Sequence, residues 1–302
     1  MKQKKKITSC SKTNTEPYLI VSDLDWTLLN NEGKLDPLTI KVVKRLTRMG
    51  HKFCIVTGRP PQSSIDIYHQ LGLNTLMINY NGALISQPND KNFQPIHLIF
   101  SFDIVSKILT SKKTKKYITN FIIENSDGVF IKEIPEDENL KEQLFKNFHL
   151  RSDGEERTVR LVSKNLANVA HKSVHSVIIH VNGKENLDQL MYELRKFSKT
   201  LITRLWAYSE LGYIIEINSI FATKGTGLKF ASSYYAIDRD RTISFGDGDN
   251  DTDMLSWASY GNAMRNATTA AKLSASYITK FNNNEQGVAK WLINHFKLKG
   301  IR

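Results

Sequence analysis

The chain has 302 residues, 40% of them hydrophobic and 24% charged, with a formal net charge of +12. This is globular composition, long enough for two domains of ordinary size, and it excludes a chain disordered throughout. No apolar stretch approaches the roughly 18 residues of a membrane-spanning helix, so no membrane partner is expected.

The Lys-rich start, Met1 to Asn14, lacks the apolar segment of a secretory signal. Residues 1–15 are expected to form a disordered basic tail. The remaining lysines are scattered, and the cluster Lys112-Lys113-Thr114-Lys115-Lys116 reads as a solvated face. No zinc-finger spacing, aromatic RNA-binding motif or basic amphipathic stripe accompanies them, so no nucleic-acid role is expected. Cys10 and Cys54 are too few for a disulfide framework, and both are expected to be reduced in a cytoplasmic protein.

The first element is the apolar run Tyr18-Leu19-Ile20-Val21, a buried parallel strand. It leads into Asp23-Leu24-Asp25-Trp26-Thr27, two carboxylates and a hydroxyl where open α/β sheets bind their ligands. Asp36-Pro37 then opens a helix whose apolar positions Ile40, Val43 and Leu46 keep helical spacing, and Gly50 closes it. Phe53-Cys54-Ile55-Val56 is a second strand, ending in Thr57-Gly58-Arg59. A hydroxyl, a bare backbone and a helix start just beyond would seat a phosphate. A helix through about Leu71 and a third strand, Leu76-Met77-Ile78, follow, ending at Asn79-Tyr80-Asn81-Gly82. Alternation of this kind predicts a doubly wound, Rossmann-like parallel sheet.

Residues 87–210 are less regular, with a strand at Val174-His175-Ser176-Val177-Ile178-Ile179 and an amphipathic helix from Glu185 to Lys199. About 120 residues suffice for a small core of their own. His171 and His175 are four apart, but no third ligand accompanies them, and a surface role is expected for both. The regular pattern resumes at Tyr213-Ile214-Ile215-Glu216-Ile217, with a helix from about Thr223, a strand at Thr242-Ile243-Ser244-Phe245 and a final helix from Glu285 to Phe296. The predicted organisation is a core of residues 16–86 plus 211–302 with an α/β domain, 87–210, inserted into it.

Two further motifs flank these elements. Lys224 opens a helix, where a cation opposes the macrodipole unless an anion lies near. Gly246-Asp247-Gly248-Asp249-Asn250-Asp251-Thr252-Asp253 packs four carboxylates into seven residues, which is costly without a neutralising cation. It lacks the glycine and glutamate spacing of an EF-hand, and no helix precedes it.

The Asp23, Thr57, Lys224 and Asp247 segments, in this order and with this insertion, resemble the four signature motifs of the haloacid dehalogenase superfamily, more narrowly its Cof-type phosphatases. Asn79-Tyr80-Asn81-Gly82-Ala83, Gly261-Asn262-Ala263-Met264-Arg265-Asn266-Ala267 and Asn283-Asn284-Glu285-Gln286-Gly287-Val288 are similar to secondary segments of that subfamily, so the resemblance spans residues 17–296. Trp26 and Arg265 stand where it usually has glycine, and Ser219 and Phe221 replace a common proline and glycine.

The resemblance implies a phosphatase in which Asp23 is the nucleophile and Asp25 the general acid and base. Mg²⁺ would be held by Asp23, the Asp25 carbonyl and Asp247, with waters on Asn250 or Asp251. Thr57, Gly58, Arg59, Asn81 and Lys224 would bind the phosphoryl group, with Lys224 also catalytic. The implied substrate is a small phosphorylated metabolite, a sugar phosphate or phosphorylated cofactor, with no obligate protein partner. A phosphotransferase or mutase would use the same core, and a non-catalytic regulatory or nucleic-acid-binding protein is the remaining alternative. Asp249 and Asp253 have no role beyond solvation or capping.

Overall fold

The structure is a computed structural model that describes residues 16–301 apart from 149, 153–154, 157–158, 163–165, 170–172 and 210–211. The basic tail, Cys10 and His171 lie outside the described residues.

In chain order, β1 (Leu19–Ser22), α1 (Pro37–Arg48), β2 (Lys52–Val56), α2 (Ile65–Gln70) and β3 (Met77–Asn79) lead into β4 (Leu84–Ser86) and β5 (Ile96–His97). Then come α3 (Phe102–Thr110), β6 (Asn120–Asn125), β7 (Gly128–Ile131), α4 (Glu138–Asn147), the short pair β8 (Arg151–Ser152) and β9 (Glu155–Glu156), and β10 (Val159–Leu161). They are followed by β11 (Val174–Val181), α5 (Lys184–Leu194), β12 (Leu201–Ser209) and β13 (Gly212–Ser219). The chain closes with α6 (Lys224–Tyr234), β14 (Thr242–Gly246), α7 (Thr252–Trp257), β15 (Tyr260–Ala263), α8 (Thr269–Ser274), β16 (Tyr277–Ile278) and α9 (Gly287–His295).

The first sheet has eight strands in the order β16-β15-β14-β1-β2-β3-β4-β5, parallel from β16 to β3 and antiparallel at β4 and β5. Alternate residues of each central strand serve opposite faces. Ile20, Phe53 and Ile55 pack against α1, α2 and α9, whereas Leu19, Val21, Cys54 and Val56 pack against α6 and α7. That two-faced burial is what makes these strands continuously apolar and gives the doubly wound layering. Helix α1 starts as its sequence dictates, with the Asp36 carboxylate accepting from the Leu38 N–H at 2.7 Å and Pro37 in the first turn.

The second sheet has the order β10-β7-β6-β11-β13-β12 and is antiparallel except at β10–β7. Val177, Ile179, Ile215 and Ile217 pack beneath α3 and α5, while Ile178 and Ile214 meet Leu144 and Phe145 of α4. The connectivity is a doubly wound sheet interrupted by a second α/β sheet.

Three local readings change. Tyr213–Ile217, read as a strand of the first sheet, pairs with β11 and β12 in the second. Ile96–His97, expected within the insertion, pairs with β4 in the first sheet. A buried apolar strand has the same pattern in either sheet, so pairing alone assigns it. His175 was expected at the surface; it is 1% exposed on β11, with its Nε2 2.8 Å from His97 Nδ1 and its ring stacked on Tyr80. The lysines at 112, 113, 115 and 116 are exposed, as a solvated face requires.

Candidate active site

The motif residues converge at the carboxyl ends of β14, β1, β2 and β3, four adjacent strands. The Asp23 N–H extends the ladder by donating to the Phe245 carbonyl at 3.0 Å, which fixes the acid beside the end of β14. Beyond it the chain turns sharply, with Trp26 in the left-handed region at φ +55° and its carbonyl accepting from Asn266 Nδ2 at 2.7 Å. This turn brings Thr27 back under the site, where its hydroxyl donates to Asp247 Oδ1 at 2.6 Å.

Lys224 lies at the centre, entirely buried at the first position of α6. Its Nζ is 2.8 Å from Asp23 Oδ1 and 2.6 Å from Asp251 Oδ1. Asp251 is also entirely buried, and its other oxygen accepts from the Asp247 and Gly248 N–H groups, each at 2.9 Å. Gly246 makes room for this carboxylate, since a Cβ there would lie 2.5 Å from the Asp251 side chain. Asp23, Asp247 and Asp251 each bring an oxygen to within 4.8 Å of the others.

The electrostatics are those of a site short of positive charge. Burial raises Asp23 well above the carboxylate range; Lys224 opposes this, and Asp251, Asp247 and Asp25 add to it. Burial likewise lifts Asp247 to about 6, against the hydrogen bond from Thr27 and with help from Asp251. Burial alone would lower the Lys224 ammonium, but Asp23 and Asp251 outweigh it and hold it above its ordinary value. One buried ammonium among several carboxylates leaves room for a hard divalent cation, and the all-oxygen donor set fits Mg²⁺.

Arg59 differs from expectation. Its guanidinium grips both oxygens of Asp25, Nε to Oδ2 at 2.7 Å and Nη2 to Oδ1 at 2.5 Å, rather than standing free for an anion. The Thr57 hydroxyl accepts from the Arg59 N–H at 3.1 Å. A single turn over Pro61–Ser63 separates this loop from α2, so no helix begins directly at Gly58. Gly58 lies against Asn81, whose oxygen a Cβ would meet at 3.3 Å. Asn81 Oδ1 accepts from Asn250 Nδ2 at 2.9 Å, so Asn250 faces Asn81. Asp253 accepts from the Gly225 N–H in the first turn of α6 at 2.9 Å, and Asp249 accepts from the Thr268 hydroxyl at 2.7 Å.

Sequence reasoning missed Glu216. From β13 of the second sheet it accepts the Asn81 amide on both oxygens, at 3.0 and 2.9 Å. The available signal was a carboxylate amid Tyr213-Ile214-Ile215-Glu216-Ile217, since acids are rarely placed in buried strands without a partner.

The fold is shared with solved structures. A haloacid dehalogenase-like hydrolase from Bacteroides thetaiotaomicron superposes with a TM-score of 0.74 at 23% identity, covering 93% of this chain and all of that one. One from B. subtilis gives 0.73 at 22%, covering 91% and 98%. A profile described as haloacid dehalogenase-like hydrolase matches residues 20–292. The chain belongs to the haloacid dehalogenase-like hydrolase family. The hydrolase is 33% identical over 284 residues to 5-amino-6-(5-phospho-D-ribitylamino)uracil phosphatase YitU of Bacillus subtilis, covering 94% of this chain and 99% of that protein. The hydrolase carries its second sheet between the Thr57 and Lys224 segments.

Proposed function

We propose that this HAD-family phosphatase is Mg²⁺-dependent and hydrolyses a small phosphorylated metabolite through an aspartyl-phosphate on Asp23. The observation that carries the reading is the buried Lys224 ammonium bridging Asp23 and Asp251 within a cluster that includes Asp247.

An Asp23 oxygen attacks phosphorus and the bond to the ester oxygen breaks, while Asp25 gives its proton to the departing alkoxide. Asp25 then takes a proton from water, whose oxygen attacks phosphorus; the Asp23–phosphorus bond breaks and inorganic phosphate leaves. Lys224 stabilises charge on the phosphoryl oxygens and keeps the Asp23 oxygen aimed. Thr57, Gly58 and Asn81 bind the phosphoryl group in this mechanism. Arg59 holds Asp25 by two bonds and exchanges one of them for a phosphoryl oxygen when substrate arrives, which frees Asp25 to carry a proton. Asp23, Asp247 and the Asp25 carbonyl would hold Mg²⁺, with Asn250 and Asp251 on its waters; bound there it supplies Lewis-acid polarisation of the phosphoryl group.

YitU makes 5-amino-6-(5-phospho-D-ribitylamino)uracil the first substrate to try, within the broader class of sugar phosphates and phosphorylated cofactors. No helix among the described residues is long and apolar enough to cross a membrane, and the reading takes the substrate as a freely diffusing cytoplasmic ester. The test is phosphate release from a panel of phosphorylated metabolites with Mg²⁺ and with EDTA. Release that requires Mg²⁺ is expected. Transfer to an added sugar without free phosphate would replace the reading with a phosphotransferase, and no turnover of any kind would overturn it.

A further inference from the structure

Among the described residues, the second sheet reaches the turn that carries Asn81 in two ways, by the His175 ring stacked on Tyr80 and by the Glu216 carboxylate, and only the carboxylate contacts the Asn81 amide. Glu216 alternates along β13 with Ile215 and Ile217, which are entirely buried under α3 and α5, so its side chain leaves by the opposite face. There both its oxygens accept from the same nitrogen of Asn81, at 3.0 and 2.9 Å, and Ser176 of the adjacent β11 lies 3.4 Å from Oε1. Asn81 is itself 1% exposed and passes the connection on, its Oδ1 accepting from Asn250 Nδ2 at 2.9 Å. The amide of Asn81 is thus fixed at both ends, by the second sheet on one side and by the Asp247–Asp251 loop on the other.

The backbone beneath this link is strained and is held by its neighbours, the Tyr80 N–H donating to the Arg59 carbonyl at 3.2 Å and the Asn81 N–H to the Thr57 carbonyl at 2.9 Å. Tyr80, Asn81 and Gly82 have φ of +50°, +55° and +102°, three successive residues in the left-handed region. Tyr80 and Asn81 pay for that conformation and keep it only where neighbours fix it. Gly82 backs onto the Thr223 carbonyl, so the same turn abuts the N-cap of α6, one residue before Lys224. Displacing Asn81 would therefore disturb Gly58, Asn250 and the start of α6 together.

From this we infer that Glu216 is a positioning residue that makes the alignment of Asn81 and Asn250 conditional on the second sheet being seated over the site. It touches no reacting atom. The catalytic consequence rests on the phosphatase reading above, whereas the positioning itself does not. A Gln at 216 keeps an acceptor for the Asn81 amide; an Ala leaves that buried amide without either.

The experiment compares Glu216→Ala, Glu216→Gln, Asn81→Ala and the Glu216→Ala/Asn81→Ala double variant, each first checked for an unchanged thermal midpoint. The first readout is amide hydrogen exchange over residues 79–83 and 247–252 in the full chain. We expect exchange to quicken in both segments in Glu216→Ala and to match the parent in Glu216→Gln. The second readout is kcat and KM for p-nitrophenyl phosphate. We expect kcat to fall about 10- to 100-fold in Glu216→Ala with KM within threefold, near-parent values in Glu216→Gln, and a double variant no worse than the poorer single variant. Unchanged exchange in Glu216→Ala, a Gln variant as impaired as the Ala variant, or additive losses in the double variant would overturn the inference. If the parent protein hydrolyses nothing, the phosphatase reading fails while the exchange result still decides the role of Glu216.

Discussion

Lys224 is the residue on which the site turns, because its charge has nowhere else to go. With no exposed surface and carboxylates at 2.6 and 2.8 Å, it neutralises groups that burial would otherwise leave uncompensated. Lys224→Ala is expected to lower unfolding free energy by about 3–5 kcal/mol in urea titration, the cost of leaving buried charge unpaired. It should also reduce kcat by about 10²- to 10³-fold, the loss seen when one preorganised donor is removed. The residue types at this site were legible: Asp23, Lys224, Asp247 and Asp251 come together as their motifs imply. Their partners were not, because a linear pattern does not say which acid a cation will choose. Arg59 binds Asp25, and Asp251 spends one oxygen on Lys224 and the other on two backbone amides.

At the scale of elements, the short turn Tyr80–Gly82 does more than its length suggests. It carries Asn81 between Glu216 and Asn250 and packs against the N-cap of α6. Gly82 is required there: at φ +102° a side chain is strained, and a Cβ would sit 2.3 Å from the Thr223 carbonyl. Gly82→Ala should cost about 1–3 kcal/mol from the backbone alone, measured by urea unfolding, and more once the carbonyl clash is added. Strands and helices of the first sheet were readable because period and punctuation agree, as at Asp36-Pro37 and Gly50. β13 was assigned to the wrong sheet for a physical reason. Strands buried on both faces look alike, and only hydrogen-bond partners separate them. His175 was placed in the right strand but expected at the surface for want of a third ligand, whereas β11 carries it inward against His97 and Tyr80.

For the whole molecule, buried histidines and carboxylates together shape the response to acid, and two of the histidines lie in the second sheet. Burial lowers His175 to about 4, with the neighbouring His97 adding to the effect, and burial lowers His180 to about 4. Both folded values lie below the unfolded value near 6.5, so the unfolded chain binds more protons between these limits. The histidine contribution to stability is therefore complete above about pH 6.5 and is lost as pH drops toward 4, by up to about 3 kcal/mol for each, whereas Asp247, raised to about 6 by burial, contributes in the opposite sense over the same range. Urea unfolding between pH 7 and 4 should show the histidine loss as a difference: a variant with either histidine replaced by Gln should lose less stability on acidification than the parent. The two sheets have separate cores, and the chemistry gathers at one edge of the first, beneath a carboxylate supplied by the second. The proposed mechanism requires that Asp23 become covalently phosphorylated. The most direct test is to quench the enzyme in acid while it turns over excess substrate with Mg²⁺ and to map phosphoryl adducts by peptide mass spectrometry. An adduct on Asp23 that disappears in Asp23→Asn is the predicted result; turnover with no adduct, or with one on another residue, would contradict it.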